Sequence, residues 1–460
     1  MFGELIIFGF ETIGNATLIV YDGSPVLVTD PWISDDAYFG SWGLSHEIPA
    51  AQRDAIRRCR YCWLSHAHPD HASIDSLTSL GPVEILLADH RGERLKNDLI
   101  GMGFTVRVLP EREWISLSSR IKVMTISDYN QDSLLLVDLD GALILNLNDG
   151  GALGSGRFLR SVARQFETVF LMRLWGEGAA DMTNVFDEAG ERIAKPWDFD
   201  HSTLSHWIQS DARRFCASHA VPFSSFHRFQ REDSVWANEL ITPLTAFHQG
   251  ADPAGPEILR PFIRYNRTTG EATEIKPRDL SRTVRTALEC GDNWSDPLEA
   301  DEQADLRRYF QSKEMLRDHI RYLRFRVGGV DTMVDINSAN RGGVGVTFEA
   351  PRQSLMAAVR YRVFDDMMIG NFMRTTLHGA DNRTYLNRTF TPVVCKYADN
   401  GGAESKEEHR RYMDHYYARD RVGHLMMHLE THSESLFRKF VKHDSLIHRS
   451  AKHLYWALRH

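Results

Sequence analysis

The stretch "LSHAHPDHAS", residues 64–73, sets His66, His68, Asp70 and His71 within six positions, directly after an apolar run. In a turn at the end of a strand, alternate side chains converge. Imidazoles at i and i+2 then share one metal, while Asp70 and His71 face a second one close by. Imidazole with carboxylate suits Zn²⁺, Fe or Mn rather than Ca²⁺, which prefers an all-oxygen shell. Two such cations about 3.5–4 Å apart lower the pKa of a water between them, which then attacks an ester, amide, lactone or phosphodiester.

Elements able to position such a turn are legible on both sides of it. "ATLIVYDG" and "SPVLVTDPW" flank a Gly-Ser turn and read as a hairpin; "YCWLS" is the strand that delivers the cluster. "AAQRDAIRRC", "IDSLTSL", "RGERLKNDLIGMG" and "RFLRSVARQF" read as helices, and "VEILLAD", "FTVRVLP", "IKVMTIS", "SLLLVDLD", "GALILNLND" and "TVFLMRL" as strands. Strand pairs interleaved with helices predict two sheets covered by helices, an αββα sandwich. Residues 200–245 read as mostly helical, and "HQGADPAGPEILRP" as a seam, giving a catalytic unit at 1–250 and a smaller α+β, helix-ending unit at 251–460.

The turn and its strand resemble the signature of the metallo-β-lactamase superfamily. That resemblance implies a mono- or dinuclear site at the sheet edge, completed by a mid-domain ligand, a bridging aspartate and a distal histidine. Asp149 in "ALILNLNDGG" takes the bridging place. His227 in "VPFSSFHRF" takes the distal one, with His219 as its rival. The usual mid-domain Gly-His is absent. "TISDYNQDSLLLV" offers Asp128, Asn130 or Asp132 there, and Asp128 is taken as the ligand. A carboxylate in place of imidazole would favour iron or manganese over zinc.

"TDPWISDDAYFGSWGLSHEIP" and "YCWLSHAHPDHASIDSL" are similar to the metallo-β-lactamase-like domain of CMP-N-acetylneuraminate hydroxylase. This closer resemblance implies that Asp30 orients a metal-ligand histidine from behind. It also implies that His46, Glu47 and Trp175 (the last in "LMRLWGEGAADMTNVF") touch substrate. That family carries an N-terminal Rieske iron–sulfur domain, for which there is no room before residue 15, so any electrons are expected from an external reductase.

Beyond the seam, "DEQADLRRYFQSKEMLRDHIRYLRF" reads as one amphipathic helix and "RQSLMAAVRYRVFDDMMIGNFMRTTL" as another. "TMVDINS", "GVGVTFEAP" and "TPVVCKY" read as strands, and the last 55 residues as helical. The pattern faintly resembles a sterol-carrier-like module with an apolar pocket; a stripe packed against the catalytic unit is the plainer reading. His424, His428 and His432 fall on one helical face, read chiefly as a solvated or interdomain surface.

Composition narrows the field. With 460 residues, 42% hydrophobic and 25% charged, the chain suits a folded two-unit protein. A formal charge of −8 with scattered basic residues gives no footprint for nucleic acid. No run approaches the roughly 18 apolar residues of a membrane span. The start has no basic n-region, and five cysteines make no even framework, so a cytoplasmic location is expected. Cys59 and Cys62 lack a second pair and read as buried apolar residues.

These readings lead to a metalloenzyme acting on a small molecule through two divalent ions, zinc first, with iron or manganese as alternatives. The first function is hydrolysis by metal-activated water, with Asp70 or Asp149 moving the proton. The second is non-haem iron oxygenation, a hydroxylase or N-oxygenase. A binding module that kept the fold without the chemistry comes last, because buried ligands without a metal stay unsatisfied.

Overall fold

The computed structural model describes residues 8–34, 36–175, 182–193, 201–281, 283–379 and 386–429. Two sheets face each other. The first runs in the order Glu271–Glu274, Ile263–Asn266, Phe8–Ile13, Thr17–Asp22, Pro25–Thr29, Tyr61–Trp63, Glu84–Leu87, Thr105–Val108. The second runs Glu257–Ile258, His219–Pro222, Thr168–Arg173, Ala142–Asn148, Ser133–Leu139, Ile121–Ser127, Ile115–Ser116.

Side-chain alternation explains why both faces of these strands are apolar. Leu18 and Val20, with Leu135, Val137, Ile144, Phe170 and Met172, point between the sheets. Their neighbours Ile19, Leu134, Leu136, Leu143, Leu145, Val169 and Leu171 point outward. That outer layer is closed by Ala55 and Ile56 of helix Ala50–Arg57, Leu99 of Arg94–Gly101, Leu159 of Gly156–Ala163, and Leu204 and Ile208 of His201–Arg214. This is the αββα metallo-β-lactamase sandwich. Cys59 and Cys62 lie in the same layer, where burial pushes both thiols up.

Several elements differ from the sequence reading, each for a physical reason. Residues 200–245 hold one long helix, His201–Arg214, and then strands His219–Pro222 and His227–Phe229, because the stretch after Arg214 finds sheet partners. Past residue 250 the chain does not leave the sandwich at once: Glu257–Ile258 extends the second sheet, and Ile263–Asn266 and Glu271–Glu274 extend the first. The long amphipathic run ends as a helix at Gln311 and continues as strand Ile320–Val327. "TPVVCKY" is helical, Pro392–Asn400, with Val393, Val394 and Cys395 buried; periodicity cannot separate a short apolar strand from a buried helix.

A third sheet carries the C-terminal region, in the order Val185–Phe186, Arg374–His378, Val344–Glu349, Ile320–Val327, Val330–Asp335. The expected second long helix breaks into Arg352–Tyr361, Phe364–Ile369 and the strand Arg374–His378. Its stripe packs into a core of Phe310, Phe325, Phe348, Phe364 and Phe390. Helix Lys406–Arg419, capped reciprocally by Ser405 and Glu408, lies back on the sandwich through Tyr412 and Tyr416, whose hydroxyls meet Gln131. His424 and His428 both pack on Tyr417, whereas His432 lies outside the described residues. Among the described residues no helix is long and apolar enough to cross a membrane.

Candidate metal centre

The histidine turn leaves strand Tyr61–Trp63 and closes when the amides of His71 and Ala72 both donate to the His68 carbonyl, at 3.0 and 2.8 Å. Ser73 then caps helix Ile74–Thr78 by accepting from Ser76 N. Two further strand ends meet this turn. Asp30 and Asn148 both take the left-handed conformation, φ 41° and 48°, which short polar residues tolerate. Their side chains thereby turn inward, and Asn148 Nδ2 donates to Asp30 Oδ2 at 2.6 Å.

Every ring of the turn is gripped on one nitrogen. His71 Nδ1 lies 3.3 Å from Asp30 Oδ2, His66 Nδ1 2.8 Å from Ser65 Oγ, and His68 Nε2 3.2 Å from Asp365 Oδ2. The other nitrogens converge. His66 Nε2 and His68 Nδ1 face each other at 2.9 Å, and His71 Nε2 stands 3.3 Å from both Asp70 Oδ2 and Asp149 Oδ2. His66, His71 and Asp149 each offer a ligand atom within 4.8 Å of the others.

The carboxylates are held in turn. Asp70 accepts from Tyr38 OH at 2.5 Å and Asn15 Nδ2 at 2.8 Å, and Asp149 accepts from Ser224 Oγ at 2.6 Å. His227 stacks on Trp42, with ring centroids 3.3 Å apart and planes 5° apart, because its strand pairs with Trp42–Leu44.

The donor set fits a divalent metal. Nε2 of His71 and Nε2 of His227 are buried without a hydrogen-bond partner. Two ligands on a tetrahedral ion with bonds of about 2.0–2.1 Å stand roughly 3.3–3.4 Å apart, which is the His71–Asp70 and His71–Asp149 spacing. Electrostatics agree. Burial alone would lower His71, yet Asp70 and Asp149 hold it well above the ordinary imidazole value: the two carboxylates call for positive charge between them. Burial, then His71 and His68, pushes His66 well below that value, while burial takes His227 down to about 3 against the pull of Asp70 and Asp149.

At the mid-domain position two carboxylates, Asp128 and Asp132, lie close in one loop. Asp128 Oδ1 accepts from the amides of Asn130 and Asp132, at 2.8 and 3.2 Å, and so caps its own loop. Its Oδ2 is buried without a hydrogen-bond partner, and Asp132 lies 3.7 Å from His66 Nδ1, the outer nitrogen of that ring. His219 points elsewhere, to Ser218 and Glu257. His46 packs on Phe262 and contacts Ser45, Glu47 pairs with Arg278 at 2.8 Å, and the Trp175 indole N–H donates to Asp211. None of these contacts joins the cluster. The segment after Trp175, residues 176–181, lies outside the described residues.

Sequence reasoning missed Asn15, Tyr38 and Asn148, which grip Asp70 and Asp30, and the pair Asp365 and Lys396. Lys396 Nζ lies 3.4 Å from His68 Nε2 and 3.6 Å from Asp365 Oδ2. Among the described residues, exposure is uneven across the cluster. His68, Asp132, Asp149 and Lys396 keep 15–18% of their side-chain surface, against 3% or less for His66, Asp70 and His71. A cleft of about 950 Å³ also runs past His68, Arg94, Tyr361, Arg362, Asp365 and Asp366.

This sandwich and its His/Asp cluster support a metal-dependent enzyme of the metallo-β-lactamase fold. The chain is 26% identical over 184 residues, 38% of its length, to the cytidine monophosphate-N-acetylneuraminic acid hydroxylase of Mus musculus, covering 30% of that protein. It is 25% identical over 159 residues, 33% of its length, to the Danio rerio protein of that name, covering 27% of it. The match thus spans less than a third of these relatives' length. No protein-family model matches. Among solved structures, the isothiocyanate hydrolase from Delia radicum gut bacteria is 13% identical, with TM-score 0.37, over 58% of this chain and 98% of that one. The diiron β-hydroxylase CmlA from Streptomyces venezuelae is 14% identical, with TM-score 0.35, over 56% and 54%.

Proposed function

We propose that this protein is a metal-dependent hydrolase of a small molecule, with His66, His68, Asp70, His71, Asp132, Asp149 and His227 around two divalent ions. Such ions, when bound, acidify water and polarise a carbonyl or phosphoryl oxygen. The observation that carries the reading is Asp149. One oxygen is fixed by Ser224, the other points at His71, and the side chain keeps 18% of its surface. A carboxylate so placed takes a proton from water and returns it to the leaving group. Asp70 suits that task less, since it is closed from solvent. The cleft beside His68, with Arg94 and Arg362, is the proposed substrate entrance.

The test is a panel of esters, lactones and phosphodiesters with the zinc-loaded chain and Asp149→Asn. Hydrolysis that falls about 10²–10⁴-fold in the variant while its zinc content stays equal to wild type supports the reading. Activity equal to wild type removes Asp149 from proton transfer.

A second reading, iron-dependent oxygenation fed by an external reductase, is favoured by one feature: the carboxylate of Asp132 stands beside His66 where an imidazole is usual. The hydroxylases that the chain is similar to support it as well. Oxygen uptake by the ferrous protein separates the two.

A further inference from the structure

The three rings of the histidine turn share one plan: a nitrogen facing the centre and a nitrogen held from outside. For His71 the outer partner is Asp30 and for His66 it is Ser65, both within the sandwich. For His68 the outer partner comes from 297 residues away. Asp365, in helix Phe364–Ile369, brings Oδ2 to 3.2 Å from His68 Nε2 and is itself buried.

We infer that Asp365 is the positioning carboxylate of His68, fixing the ring so that Nδ1 faces the metal, and that Lys396 holds Asp365 in place. The C-terminal region would thus complete the centre and not merely cover the sandwich. The inference rests on the metal-centre reading above. A carboxylate behind a ligand imidazole sets its tautomer and orientation and raises its basicity. His68 Nδ1 already lies 2.9 Å from His66 Nε2, too close for two rings to face each other unless a proton or a cation sits between them.

The rival arrangement is a separate metal on His68, Asp365 and Asp366, whose ligand atoms fall within 4.8 Å of one another. Lys396 argues against it. Its ammonium is 3.4 Å from His68 Nε2 and 3.6 Å from Asp365 Oδ2, the two atoms such a metal would bind. The lysine side chain thus already fills the place beside both atoms. A dication beside it would meet like charge at close range.

The experiment is zinc titration of the chelator-stripped full-length chain against a chromophoric competitor. It compares wild type, Asp365→Asn, His68→Ala and the double variant. Asp365→Asn is expected to weaken zinc binding about 10–100-fold in the wild-type background and to change it little once His68 is gone. Equal loss in both backgrounds, or no loss in either, overturns the inference while leaving the metal centre standing. A wild-type chain that takes up no zinc, iron or manganese overturns both.

Should the aspartate variant not fold, ¹⁵N-histidine NMR of the zinc-loaded wild-type chain gives the answer without it. Zinc on His68 Nδ1 with a protonated Nε2 supports the inference. Zinc on Nε2 overturns it in favour of the Asp365–Asp366 site.

Discussion

Asp30 Oδ2 stands 3.3 Å from His71 Nδ1, both side chains wholly buried, with Asn148 and the Ser65 amide as the carboxylate's other partners. This backing leaves His71 Nε2 free to face Asp70 and Asp149. Asp30→Asn is therefore expected to weaken metal binding about 10–100-fold while preserving the sandwich. Competition with a chelator of known affinity reads the change, and an unaltered dissociation constant would remove Asp30 from the centre.

Trp42 stacks flat on His227 and is buried in a cluster with Trp32, Tyr38 and Phe229. Trp42→Ala is expected to cost about 3–5 kcal/mol, from lost burial plus a cavity. It should also loosen the metal that His227 faces. Denaturant unfolding with metal analysis on one sample checks both. A destabilised variant that keeps full metal would separate packing from ligation.

Burial, with Arg228 adding to it, holds His46 down to about 4, against an ordinary 6.5. The folded value lies below the unfolded one, so the unfolded chain takes up the proton first. Stability is then complete above about pH 6.5 and falls as pH drops towards 4, by about 3 kcal/mol from this residue. His46→Phe, seated on Phe262, is expected to flatten that part of the pH–stability curve. If the variant instead loses turnover with stability unchanged, His46 serves substrate.

Arg231 is fully buried, paired with Asp292 at 2.8 Å and Asp233 at 2.9 Å, and Asp292 also accepts from Ser354. Removing one partner of a buried pair strands the other charge, so Arg231→Ala is expected to cost about 3–5 kcal/mol. A loss below about 1 kcal/mol in denaturant titration would show the pair to be as weak as a surface one.

Most of the sandwich was legible because its strands are apolar on both faces and its turns carry their own punctuation. The cluster was legible because four of its residues sit in one turn. What escaped depended on distance. Asp365 and Lys396 reach His68 from a region whose helix Pro392–Asn400 reads as a strand, and nothing local marks either residue. Asp132 and Asp128 are chemically alike, and only the loop distinguishes them: one Asp128 oxygen caps the loop, and Asp132 approaches His66. His46, Glu47 and Trp175 were picked by resemblance, and their contacts with Phe262, Arg278 and Asp211 are of kinds that sequence does not announce.

The most direct measurement is the metal content of protein purified without chelator or added metal, with turnover and oxygen uptake followed on the same sample. About two divalent ions per chain are expected, mainly zinc, with hydrolysis lost on chelation and restored by zinc. Iron with oxygen uptake by the ferrous form would contradict hydrolysis in favour of oxygenation. A chain that holds no metal even after reconstitution would contradict the metal centre itself.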